Sequence, residues 1–95
     1  MTAADPTLRP LLSLVEQRLA AIQRLLPSDR SDSWAWRKYH EAARDLIAEL
    51  RRDAGAEFST SGEYSLRLAG IAATSSVSEI QLLKNWARAA RGGAA

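Results

Sequence analysis

The residues able to do chemistry in this chain are few and scattered. His40 is the only histidine and there is no cysteine, so a thiolate zinc site and a cysteine nucleophile are both excluded, and the imidazole has no second soft ligand to share a metal with. It falls beside the apolar stripe of a helix, where packing or surface exposure accounts for it. Glu41, Asp45 and Glu49 recur every four residues, the spacing of a solvated helical row; nothing marks two of them as a matched acid and base. The hydroxyls at 59–61 and 74–78 fall at turn and cap positions, where they satisfy free backbone amides. Gly92-Gly93 follows a helical pattern instead of preceding one, which is the wrong order for a phosphate-cradling loop. The expectation is a chain with no catalytic residues, no metal and no cofactor.

Cations and tryptophans carry more. Thirteen basic against eleven acidic residues leave a net charge of +2, but the surplus is uneven. After residue 63 the only acid is Glu79, against Arg67, Lys84, Arg88 and Arg91, the four candidate contacts for a partner or DNA. Lys84, Arg88 and Arg91 lie at i, i+4 and i+7, on one side of a helix, where they either form a solvated face that complements the helix dipole or contact phosphates or an acidic partner. No aromatics interleave them, so base readout is not expected. Of the three tryptophans, Trp36 and Trp86 fall on or beside apolar stripes and read as core. Trp34 lies roughly 160° from the main stripe of its helix by helical geometry. It either covers a neighbouring helix or anchors an interface.

Periodicity then supplies the elements that position these groups. Leu8, Leu11, Leu12, Val15, Leu19, Ile22 and Leu26 follow one helical face, which predicts a helix over 7–26, capped by Asp5 or Thr7 and stopped by Pro27. Leu14 and Leu25 widen that stripe beyond what one neighbouring helix covers, which makes them candidate interface anchors beside Trp34. After a polar turn a second helix is expected over 34–54, with Trp36, Tyr39, Ala43, Leu46, Ile47 and Leu50 inward and Gly55 as its C-cap. Beyond Gly55 the period becomes two. Tyr64 to Ala69 alternate as a half-buried strand, and 56–60 are its hairpin partner. A two-residue turn would put Phe58 on the face opposite Leu66; a three-residue loop, Ser61-Gly62-Glu63, puts it across from Leu66 and is preferred. Residues 71–75 read as a lead into a last helix over 77–91. Ser76-Val77-Ser78-Glu79 fits a capping box at its start, Val77, Ile80, Leu83, Ala87 and Ala90 form its stripe, Leu82 and Trp86 widen it, and Gly92-Gly93 stop it. The expected fold is a single α+β domain over 1–95, mainly α, with two N-terminal helices, a small β-hairpin (56–69) and a C-terminal helix.

The stretch from Gly55 to Trp86 resembles the W-type head–tail joining proteins of tailed phages. The features that carry it are a helix ending at Gly55, a hairpin through Gly62, the strand Tyr64-Ser65-Leu66-Arg67-Leu68, and Ala73-Thr74-Ser75-Ser76-Val77-Ser78-Glu79-Ile80. The last is close to that family's Ala-Thr-Ser-Val-Ser-acid-aliphatic string, with one extra serine; Ala69-Gly70-Ile71 and the whole N-terminal helix are additions. The resemblance implies a non-catalytic homo-oligomer, a ring between portal and tail or stopper with DNA passing through it. It further implies assembly in the host cytoplasm and a place in the virion. Lys84, Arg88 and Arg91 would then face the lumen or an acidic neighbour.

Two other readings stay open: a small DNA-binding or DNA-packaging accessory protein, supported by the basic C-terminal third, and a helical protein-interaction module unrelated to phages. No run approaches the roughly 18 apolar residues of a membrane span, so no membrane partner is expected. Chains of this length bury only about 60–70% of their unfolded surface, which makes help from an assembly plausible on physical grounds.

Overall fold

A computed structural model describes residues 8–26 and 31–94, with the side chains of 93 and 94 outside that description. The element order is α1 (Leu8–Gln23), α2 (Ser33–Ala54), β1 (Glu57–Ser59), β2 (Tyr64–Leu68), β3 (Ile71–Ser75) and α3 (Glu79–Ala94). It is an α+β, mainly α arrangement in the expected helix, helix, sheet, helix order. The body measures 51 × 27 × 22 Å.

In α1 the stripe Leu8, Leu12, Val15, Leu19 and Ile22 is buried, and Pro10 is tolerated because the amide it lacks belongs to the first turn, which has no intrahelical acceptor. The helix is shorter than expected. Arg24, Leu25 and Leu26 donate to carbonyls three residues back, so the chain tightens and leaves the α-helix; Leu26 precedes a proline, whose ring disfavours helical backbone at that position. Leu25 and Leu26, expected on the stripe or its margin, are therefore exposed. The expected caps Asp5 and Thr7 and the stop at Pro27 lie outside the described residues.

The start of α2 is capped by Asp32, whose carboxylate accepts from the Ala35 amide at 3.0 Å. Its inward face is Tyr39, Ala43, Leu46, Ile47 and Leu50, with Trp36 packed at the margin. Gly55 ends it at φ 68°, and the amides of Gly55 and Ala56 both reach the Leu50 carbonyl. A side chain at that φ would be strained, which is why glycine closes the turn.

The sheet is antiparallel in the order β1-β2-β3. Phe58 faces Leu66, the register of the longer loop, and Leu66 and Leu68 are buried on the helix side. The sheet has one strand more than expected. Residues 71–75 are not a lead into the last helix but β3, with Leu68 facing Ile71. The two residues between them, Ala69 and Gly70, have φ of 54° and 78°, the pair of positive values that a type I′ hairpin turn requires. Ile71, Ala73 and Ser75 share the helix side; Glu57, Ser59, Ser65, Arg67, Ala72 and Thr74 form the outer face.

The expected capping box is replaced at the start of α3 by a simple N-cap two residues later, with the Gln81 side chain bonded to Asn85 and not to the cap amide. Ser78, not Ser76, is the cap: its hydroxyl accepts from the Gln81 amide at 3.1 Å and its carbonyl from Leu82 at 3.0 Å. The Ser75 hydroxyl accepts from the Val77 amide, a local turn that ends β3. Val77 consequently precedes the helix and is 74% exposed instead of joining the stripe. Gly92 and Gly93 do not stop α3, which continues to Ala94; glycine permits a left-handed cap but does not impose one, and each glycine within a helix costs only about 1 kcal/mol.

The core forms where the faces converge. Trp86, Leu82, Leu83, Leu50, Leu66, Leu68 and Val15 are its largest fully buried side chains. Trp86 Nε1 donates to the Leu68 carbonyl at 3.1 Å, so the buried indole satisfies its one donor at the closing pair of the β2–β3 turn.

Candidate interaction surface

Two of the four candidate contact cations come together with a third that is already engaged. Lys84, Arg88 and Arg91 line a shallow groove between α1 and α3 with Glu16, Leu19 and Ala87. Arg91 pairs with Glu16 on α1, whereas Lys84 and Arg88 form no ion pair among the described residues. Arg67 is not part of this row. It projects from the outer face of the sheet, opposite Glu57 and Ala72, while α3 packs on the inner face.

The apolar candidates also divide. Trp34 is 66% exposed and Leu25 47% exposed, and the two line one groove with Ala35, Lys38, Glu41, Ala42 and Asp45. Lys38 stands 5.5 Å from the centre of the Trp34 ring and 3.6 Å from Glu41, so the indole carries a cation on its face. The groove continues between α1 and α2 past Ala21, Ile22 and Leu46, where Arg18 bonds Glu49 at 3.1 Å. Leu14 is half-buried on α1 and lines neither groove. Beside them, the Arg52 guanidinium is held above its ordinary range by a hydrogen bond to the Asp53 carboxylate and by that group's charge.

His40 belongs to an aromatic cluster. Its ring stacks on Trp36 at 6.1 Å and meets Tyr39 edge-on at 5.4 Å, an arrangement that fills space at the margin of α2. Among the described residues no three of His, Asp and Glu are grouped so as to hold a metal ion, and no helix is long and apolar enough to cross a membrane.

A second basic row escaped the reading by residue type. Arg37, Arg44 and Arg51 are seven residues apart on α2, which sets successive members about 10.5 Å apart along one flank. That flank is opposite the one α1 covers. Arg44 and Arg51 border a groove floored by Ile47, Ala48 and Phe58 and ended by Glu79. Arg44 approaches the Glu79 carboxylate only to 3.7 Å; Arg37 and Arg51 are exposed with no ion pair among the described residues. The heptad spacing was the available signal, hidden because the same helix alternates acids and bases along its length.

The free edge of β3 is partly closed from α3. Asn85 Nδ2 donates to the Thr74 carbonyl at 2.8 Å, and Gln81 Nε2 holds the Asn85 amide oxygen at 3.0 Å. At the other edge, the two-residue turn makes Leu68 and Ile71 a hydrogen-bonded pair, so Leu66 also bonds toward β3 and alternation leaves Phe58, which faces Leu66 in the β1–β2 ladder, with its N–H and C=O outward.

No family model, curated protein or solved structure matches this chain.

Proposed function

We propose that the chain is a non-catalytic structural subunit of a tailed-phage virion, a head–tail connector protomer that packs with its own copies into a ring between portal and tail or stopper proteins. The observation that carries this reading is the apolar end of the α1–α2 pair. Trp34, Leu25 and Leu26 are 66, 47 and 46% exposed, and a small domain gains by covering such side chains in an assembly. The run α2, β1, β2, β3, α3 keeps the helix, hairpin and helix that the resemblance implies in that order, with β3 as an additional strand before the last helix. Lys84 and Arg88 would face DNA in the channel or an acidic neighbour.

Oligomeric state tests it. Light scattering behind size exclusion and negative-stain images of the chain with the portal and tail proteins of the same phage should show a ring, and Trp34→Glu should reduce its yield. A monomer that binds neither protein at any concentration overturns the reading.

A further inference from the structure

We propose that the free edge of β1, with the groove beside it, receives an extended acidic segment of another protein by strand addition. This goes beyond the connector reading and does not depend on it. Three observations meet at one place. First, β1 is an edge strand whose outward backbone donor and acceptor are those of Phe58, and an uncovered edge is a template for one more strand. β3, the opposite edge, has the Thr74 carbonyl tied to Asn85; no equivalent side-chain bond closes β1 among the described residues.

Second, the groove next to that edge has an apolar floor, Ile47, Ala48 and the half-buried Phe58. The residue of an added strand that pairs with Phe58 points to the same side of the sheet as the Phe58 ring. An aliphatic side chain there lies over this floor. Third, two arginines stand on the rim, and the Glu79 carboxylate that ends the groove lies 3.7 Å from Arg44 and offsets its charge only in part. Arg44 and Arg51 stand about 10.5 Å apart along α2, and Arg51 has no ion pair among the described residues. The residues two positions before and two after the paired one point to the same side, about 13 Å apart along an extended chain. Acids at those two positions have a spacing close to that of the two arginines that border the groove. The partner is thus defined chemically: an extended segment with an acid, an aliphatic residue and an acid at alternate positions.

The test uses the whole chain and a labelled seven-residue peptide, Thr-Glu-Thr-Val-Thr-Glu-Thr, followed by fluorescence anisotropy at low salt. Two controls accompany it: the same peptide with lysine for each glutamate, and the same peptide N-methylated at the valine so that it cannot donate to the edge. Saturable binding of the acidic peptide is expected, at least tenfold weaker for either control and at least tenfold weaker with Arg51→Glu, an exposed substitution whose folding circular dichroism checks. Exchange of the Phe58 amide should slow at least tenfold on saturation. Equal binding of the N-methylated peptide, or no change at Phe58, overturns strand addition. Absence of saturable peptide binding also overturns it. So does capture of a DNA duplex through Arg37, Arg44 and Arg51 without peptide binding, or self-association lost in Arg51→Glu, each of which assigns the groove to a different occupant. Because the assay needs no ring and no phage protein, its failure leaves the connector reading standing, and a monomeric chain leaves this proposal standing.

Discussion

Replacing Trp86 by phenylalanine tests the centre of the fold. The indole is fully enclosed, and its Nε1 donates to the Leu68 carbonyl at 3.1 Å. Phenylalanine keeps most of the apolar surface but deletes the donor and leaves a small void. Losing the hydrogen bond costs about 0.5–1.5 kcal/mol, and the Leu68 carbonyl, which still faces Ile71 across the closing pair, is not wholly orphaned. The void adds roughly 1 kcal/mol, since a full Trp→Ala truncation costs about 3–5 kcal/mol. The sum is about 1.5–2.5 kcal/mol, a large share of the roughly 5–14 kcal/mol expected of a domain this size. At about 4–8 °C per kcal/mol, thermal unfolding followed by circular dichroism should show a midpoint lowered by roughly 6–20 °C. Trp34→Phe is the internal control, because its ring is 66% exposed and surface changes fall within about 0.5 kcal/mol. A Trp86→Phe midpoint within 4 °C of the parent, or an equal loss in Trp34→Phe, would refute the placement of Trp86 as the keystone between α3 and the turn after β2.

Ala69→Asn should raise the denaturant midpoint by the equivalent of about 0.5–1 kcal/mol, because alanine at φ 54° is held in a conformation that asparagine tolerates better; destabilisation would count against a positive φ at this turn. Asn85→Ala should cost about 1 kcal/mol and speed amide exchange in β3, since it unties the Thr74 carbonyl. Glu16→Gln, which breaks the pair with Arg91, should cost under about 1 kcal/mol because both side chains remain partly in water; a larger loss by denaturant titration would mean the pair orders α1 against α3. If Lys84 and Arg88 contact DNA, Lys84→Glu with Arg88→Glu should reduce the slope of log affinity against log salt by about 1.8, and an unchanged slope removes that contact.

Sequence periodicity read the helices well because each has one dominant buried stripe. Leu12, Val15 and Leu19 on α1 and Ala43, Leu46 and Leu50 on α2 are buried as their spacing requires. The register of Phe58 on Leu66 was legible for the same reason, since a slip by one would have turned Phe58 to the face opposite Leu66 and Leu68. What stayed hidden depends on partners that spacing does not name. β3 contains three small residues among Ile71-Ala72-Ala73-Thr74-Ser75, so its alternation carries little amplitude, and Ala-Gly is a weak turn signal beside Asn-Gly. The shift of the cap from Ser76 to Ser78 follows from β3: once Ser75 is in a strand facing Tyr64, the chain needs the next residues to reverse direction before a helix can start.

The basic flank of α2 illustrates a deeper limit. Periodicity says which face of a helix is buried, but the two flanks of that face are equivalent until a neighbour takes one. Here α1 takes the flank with Ala42 and Glu49, where Arg18 answers the carboxylate at 3.1 Å. That choice leaves Arg37, Arg44 and Arg51 on the side of β1. Counted along the chain, the acids and bases of α2 interleave and nearly cancel; placed around its axis, the acids lie toward α1 and the arginines beside a strand with an open edge. A charge count therefore directs attention to α3, whose last cation is already matched by Glu16, whereas the geometry also points to Arg51, which has no ion pair among the described residues and lies next to backbone groups able to accept another strand.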